Sequence, residues 1–221
     1  MTRRTTTVIV TALIALVAFA AAVFFYQRHE RQQAAEQAAA QFDVMVREHS
    51  PVIGPANAPI TIVEFFDPAC EACRAFYPYV KQILAAYPRE ARLVIRYVPF
   101  HGEPSIAGVQ ILEAARQQQR FEPVMDALMQ SQPVWASHGT PATERAWEFA
   151  RTAGLDLERA RAYVATGAVD KLLEQDVADL KAVGVRATPT FFVNGKPLSE
   201  PDPRVLLEMV KGAAERNRKA P

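Results

Sequence analysis

Residues 60–73 run Ile60-Thr61-Ile62-Val63-Glu64-Phe65-Phe66-Asp67-Pro68-Ala69-Cys70-Glu71-Ala72-Cys73, an apolar strand pattern that feeds directly into a cysteine pair. Ile60 to Phe66 is β-branched and aromatic and of strand length. Apolar side chains fall on both of its faces, as a strand covered on both sides requires. Asp67-Pro68 breaks the strand. A helix is expected from about Cys70 to Tyr87, with Phe76, Val80, Ile83 and Leu84 on one stripe, and Pro88 stops it. Arg92 to Val98 reads as a second strand. Strand, helix and strand at these lengths make a βαβ unit with a parallel pair.

Outward from this unit, Pro51 to Pro59 is a loop or an irregular edge, rich in proline with Gly54 and Asn57. Residues 104–183 look almost wholly helical. Ser105 is expected to cap a helix carrying Ile106, Val109, Ile111 and Leu112. Further helical patterns cover Phe121 to Met129, Thr143 to Ala153, Leu157 to Val164 and Val169 to Val183. After Gly184 the strand pattern returns over Thr190 to Val193, and Asn194-Gly195 signals a hairpin turn. Asp202 opens a final helix through Leu206, Leu207, Met209 and Val210. The expectation is a two-layer α/β domain, 51–103 and 184–221, interrupted by a helical insertion over 104–183.

Val8 to Phe25 is an 18-residue run whose one polar member is Thr11. As a helix it would span about 27 Å, close to the hydrocarbon thickness of a bilayer. This gives a cytoplasmic start over 1–7, a transmembrane anchor or uncleaved signal over 8–26 and a helical stem over 27–50. Ala18-Phe19-Ala20 offers a cleavage site, but the run continues through Tyr26, which favours the anchor. Ala35, Ala39, Phe42 and Val46 could form a self-association stripe, although a solvated stem is the better reading of so short and alanine-rich a pattern.

The 221 residues carry 25 basic and 24 acidic side chains, so no charge excess points to a nucleic-acid partner. The chain has two cysteines, which excludes a disulfide-dense scaffold. Their placement matters more than their spacing. Cys70 sits where unpaired N–H groups and the helix dipole favour an anion, which lowers a thiol's pKa. Cys73 lies one turn deeper and can close the ring. A zinc site lacks ligand spacing among His29, His49, His101 and His138, and Arg74 stands where haem attachment needs a histidine. No metal and no cofactor is expected.

Glu64 lies six residues before Cys70 in the apolar strand. If that strand is central, its carboxyl is buried, has a raised pKa and can exchange a proton with the deeper thiol. At a sheet edge it would simply face solvent. Thr188-Pro189 precedes the strand Thr190 to Val193, and a cis bond there would leave the Thr188 backbone beside the cysteines to pair with an extended substrate chain. A trans proline at a strand start is the plain alternative. His101, in the loop after the second strand, receives no role.

Glu64-Phe65-Phe66, the Cys-x-x-Cys pair and Gly184-Val185-Arg186-Ala187-Thr188-Pro189-Thr190-Phe191-Phe192-Val193-Asn194-Gly195 together resemble the DsbA family of periplasmic disulfide oxidoreductases. The resemblance implies a thioredoxin-like fold with a helical insertion. It implies Cys70 as nucleophile, Cys73 as resolving thiol, Glu64 as buried acid and Pro189 as cis-proline, with a quinone-linked membrane partner. Two departures stand out. Glu71-Ala72 replaces the Pro-His of the best-known oxidases, and an added anion beside Cys70 should raise its pKa and weaken the oxidant. Thr188 before the proline is frequent in isomerases of this fold.

The expectation is therefore a dithiol oxidase of the inner membrane, single-pass, with its catalytic domain in the periplasm and cysteine-containing exported proteins as substrates. An isomerase or reductase kept reduced by a membrane partner is the alternative. A thiol-independent client-binding chaperone and a Cu(I) carrier are the rivals from other classes.

Overall fold

The computed structural model describes residues 42–219, together with residues 19, 26, 28 and 29. The chain divides into two units, Met1–Phe42 and Asp43–Pro221, and the second carries the fold. The anchor expected over 8–26 and most of the stem expected over 27–50 lie outside the described residues. Among the described residues, no helix is long and apolar enough to cross a membrane.

The elements of the second unit are β1 (Val52–Ile53), β2 (Ile60–Phe66), α1 (Glu71–Ala86), β3 (Ala91–Tyr97), α2 (Glu103–Gln117), α3 (Phe121–Trp135), α4 (Thr143–Thr152), α5 (Leu157–Val164), α6 (Ala168–Val183), β4 (Thr190–Val193), β5 (Lys196–Pro197) and α7 (Pro203–Lys219). The sheet order is β1-β3-β2-β4-β5. β2 and β3 are parallel, with Glu64 opposite Ile95, while β4 runs antiparallel on the other side of β2, with Phe65 opposite Thr190. This register decides the site. Because β4 is antiparallel, its beginning lies at the end of β2, where the chain turns toward Cys70.

β2 is central and buried along its whole length, as its two-faced apolar pattern demands. Ile60, Ile62 and Phe66 pack with Phe76 and Val80 of α1 and with Leu206 and Val210 of α7. Val63 and Phe65 point the other way, onto Leu180 of α6 with Val94, Val185 and Phe192. Glu64 alternates with Ile62 and Phe66 and so faces the α1 side. The expected two layers are thus three. α6 covers the second face of the sheet instead of belonging wholly to the insertion, because its apolar stripe meets the exposed faces of β2 and β3.

Other expectations shift locally. Ser105 does not cap α2. The helix begins at Glu103 behind Gly102, with Pro104 in its first turn. The Ser105 hydroxyl instead accepts the His101 N–H at 3.0 Å. α3 runs past Met129 and through Pro133 to Trp135, whose buried indole donates to the Leu128 carbonyl at 2.9 Å. Residues 46–50, read as stem helix, are bends and turns. Pro51 disfavours helix before it. The side chains of Arg47 and His49 are drawn away to Asp179 (2.8 Å) and Asp176 (2.7 Å) on α6. These two acids also hold the fully buried Arg96 of β3, each at 2.6 Å.

Candidate active site

Asp67, fully buried, builds the turn between β2 and α1. Its carbonyl accepts the Cys70 N–H at 3.0 Å, and its Oδ1 accepts the Ala69 N–H at 2.9 Å. Its Oδ2 reaches the loop after β3, taking the N–H groups of Phe100 (3.0 Å) and His101 (3.2 Å) and the His101 Nδ1 (2.6 Å). Pro68 packs where Gly108 of α2 has no side chain, since a Cβ there would lie 2.7 Å from the proline ring.

Cys70 then occupies the N-cap of α1, with φ −77° and ψ 122°. Its own carbonyl accepts the first helical N–H, from Arg74 at 3.1 Å. Both sulfurs are free thiols, Cys70 6% exposed and Cys73 fully buried. The Cys70 thiol is lowered to about 5. A hydrogen bond from the Cys73 thiol contributes most, burial opposes it, and the Thr188 side chain and the N–H groups of Cys73 and Ala72 add to it. Cys73 moves the opposite way, well above the ordinary thiol value, through burial, its bond to Cys70 and the nearby charges of Glu64 and Cys70. The Asp67 N–H, 3.5 Å from the Cys73 sulfur, works weakly against that rise.

Glu64 is 1% exposed. Burial, then the negative charge on Cys70, pushes its carboxyl up to about 8. The Thr188–Pro189 bond is cis, and the Thr188 carbonyl stands 3.4 Å from the Cys70 sulfur. The topology thus brings Glu64, Cys70, Cys73, Thr188 and Pro189 to one end of the sheet. Glu71 does not join them. Its side chain is 66% exposed and lies 3.6 Å from His138 Nε2. The upward pull expected of Glu71 is not among the causes of the Cys70 shift, which is set by burial and by donors on the sulfur, two of them the N–H groups of Ala72 and Cys73.

Gln132 of α3 was not expected here. Its buried amide donates to the carbonyls of Pro68 (2.8 Å) and Cys70 (2.9 Å), and its Oε1 accepts Arg74 Nε at 3.0 Å. A signal for it existed. Val124, Leu128, Gln132 and Trp135 fall on one buried helical stripe. Among the described residues, no group of three or more His, Cys, Asp or Glu side chains is placed to hold a metal ion.

A family model described as thioredoxin matches residues 46–211. The chain belongs to the thioredoxin family. A Na(+)/H(+) antiporter NhaA from Herminiimonas arsenicoxydans is 34% identical over 145 residues, which are 66% of this chain and 22% of that protein. The chain therefore spans about a fifth of the length of that curated relative. A thioredoxin-like oxidoreductase from Silicibacter pomeroyi DSS-3 is 30% identical with a TM-score of 0.64, covering 79% of this chain and 95% of that one. The thiol-disulfide exchange protein alpha-DsbA2 from Wolbachia pipientis shares the fold, with a TM-score of 0.66 at 18% identity over 83% of this chain and 97% of that one. The thioredoxin-like fold with a helical insertion is the one the motifs imply, and the family's strand–turn–helix carries both cysteines.

Proposed function

We propose that this thioredoxin-family chain is a thiol–disulfide oxidoreductase, working as a dithiol oxidase on cysteine-containing exported proteins. One observation carries the proposal. Cys70 is held toward the thiolate at a helix start while its partner Cys73 is held toward the thiol. A low-pKa sulfur is a good leaving group, and stabilising it favours the reduced pair, which makes the disulfide form oxidising.

The reaction runs from the Cys70–Cys73 disulfide. A client thiolate, its proton lost to solvent, attacks the Cys70 sulfur. The S–S bond breaks, and Cys73 leaves with the electron pair and takes a proton from Glu64, whose burial raises its carboxyl above the ordinary value. A second client thiol gives its proton to the Glu64 carboxylate and attacks the client sulfur bonded to Cys70. Cys70 departs as thiolate. The client loses two electrons and the pair gains two. The Thr188 backbone beside Cys70 offers an extended client chain a hydrogen-bonding edge.

In this proposal residues 8–26 anchor the chain in the inner membrane, the catalytic domain faces the periplasm, and a quinone-linked membrane partner reoxidises the pair. An isomerase or reductase acting through the same sulfurs is the second reading, favoured by the Thr188 side chain on the Cys70 sulfur.

Thiol trapping in intact cells tests the assignment. A pair found mostly oxidised, together with a Cys73→Ser variant that accumulates mixed disulfides with exported proteins, is the expected result. A mostly reduced pair selects the second reading. A Cys73→Ser variant with no adducts, and clients protected equally after Cys70→Ser, removes both in favour of a chaperone.

A further inference from the structure

A cavity of about 370 Å³ opens beside the cysteine turn, walled by Ala69, Phe100, His101, Ser137, His138 and Pro141 among others. Its one wall is the residue before Cys70, and two of its walls are imidazoles. His101 is fixed there by the buried Asp67, at 2.6 Å, with 34% of its side chain exposed. We propose that the Asp67–His101 ion pair is a charge-positioning device for Cys70. The carboxylate orients the imidazole at a cavity wall shared with Ala69, next to Cys70, where its cationic form steadies the charge on the departing Cys70 sulfur. His101 is thus a positioning residue, and the proposal rests on the oxidoreductase assignment above.

Three observations carry it. First, Asp67 is one node for both partners. Its carbonyl and Oδ1 shape the turn that presents Cys70, and its Oδ2 takes three bonds from Phe100 and His101. Moving His101 therefore moves the turn. Second, the cation at the start of α1 is engaged by another element. Glu71 is its acidic first-turn residue, and the Arg74 guanidinium is turned into α3 by Gln132. Third, the charged groups around His101 agree in sign. Burial lowers its pKa, but the bond and charge of Asp67, then the charges of Cys70 and Glu71, outweigh that and leave it raised above 6.5. From the α3–α4 loop, His138 stands 6.1 Å away ring to ring, and Glu71 lies 3.6 Å from its Nε2. Glu103, at the start of α2, is engaged by the Thr143 hydroxyl at 2.9 Å.

Electrostatic coupling is reciprocal: if the Cys70 thiolate favours the imidazolium, the imidazolium favours the thiolate by the same factor. The step it assists is the release of client. The client's second sulfur forms a new S–S bond, the Cys70–client S–S bond breaks, and the electron pair leaves on Cys70. His101 keeps its proton throughout, so it changes no stoichiometry.

The test uses the full chain with His101→Gln and His101→Lys. The pH midpoint for alkylation of reduced Cys70 is measured, together with equilibrium against glutathione. His101→Gln is expected to move the midpoint upward by about one unit and to make the pair about tenfold less oxidising, while His101→Lys, which keeps the charge, stays near the parent. Midpoints that coincide for parent and His101→Gln overturn the proposal, as does a His101→Lys midpoint equal to that of His101→Gln. Should a variant not fold, NMR titration of His101 in the parent decides. A higher pKa in the reduced than in the disulfide form supports the coupling, and equal values overturn it. A parent midpoint already at the ordinary thiol value of 9.0 defeats the oxidoreductase assignment itself, independently of any histidine variant.

Discussion

The Gln132 side-chain amide donates to the Cys70 carbonyl at 2.9 Å, so the helical insertion grips the cysteine helix at its N-cap. The same amide holds the Pro68 carbonyl, which fixes the peptide planes 68–69 and 70–71. With these carbonyls turned toward α3, the N–H groups of Ala72 and Cys73 are aimed at the sulfur. Gln132→Leu leaves two buried carbonyls and Arg74 without this partner. A loss of about 1–3 kcal/mol is expected, read by urea denaturation, with a Cys70 alkylation midpoint shifted upward. An unchanged midpoint would show that the amide serves stability alone.

Glu64 makes the fold sensitive to alkali. Its folded pKa of about 8 lies above its ordinary 4.5, because burial and the Cys70 charge disfavour the carboxylate. A group raised in this way contributes its stability in full below 4.5 and loses it as pH climbs through about 8. Glu64→Gln removes that loss. In the reduced protein the variant is expected to gain on the parent steadily between about pH 5 and 8, by up to about 1.4 kcal/mol per unit. Denaturation at the two ends of the range checks it, and a stability difference that does not change with pH refutes it. Turnover of the mixed disulfide should slow at the same time.

Cys70 works in the opposite sense. Its folded pKa, about 5, lies below the ordinary 9.0, so its contribution to the reduced form is complete above 9.0 and disappears as pH falls through about 5. The reduced protein should therefore outlast the disulfide form at neutral pH, and the gap should close toward pH 5. Thiols of this kind span about 7 in thioredoxin to about 3.5 in DsbA. The potential is accordingly expected between about −270 and about −120 mV. A glutathione titration placing it outside that interval contradicts the assignment.

Arg96 tests whether stability and chemistry separate. It lies on the α6 face of the sheet, fully buried between Asp176 and Asp179, whereas Glu64 and the cysteines occupy the α1 face. Arg96→Met takes the buried cation from two buried carboxylates, which keep Arg47 and His49, and should cost about 3 kcal/mol while leaving the reduction potential in place. For Asp179, burial alone would raise the pKa, but hydrogen bonds from Arg47, Arg96 and Gln175 hold it at about 2. Its contribution is present above its ordinary 3.8 and lost as pH falls through about 2, so the penalty for Arg96→Met should shrink in acid. A shifted potential in this variant would mean that the two faces communicate.

The parts of the site that the sequence made legible share a local signature. Cys70 follows a strand and opens a helix, Glu64 interrupts an apolar run, and Pro189 precedes a strand. Each is visible within a few residues. What stayed hidden depends on distant partners. Arg96 reads as an ordinary charge in a strand until Asp176, eighty positions later, arrives beside it. Gln132 reads as a surface amide until α3 is laid against the cysteine turn. The face covered by α6 was missed for the same reason, because an amphipathic pattern shows which side is apolar and not what it meets. Asp67 reads as a strand breaker, and its buried carboxylate acquires meaning when the loop with His101 folds over it.

Cys70 and Thr188 touch across 118 positions of chain, because β4 lies antiparallel to β2 and delivers its beginning to the sulfur. If the domain crosses a membrane in chain order, both thiols would emerge long before β4. On the proposed export, the dithiol would wait through this interval without the backbone edge that a client strand needs.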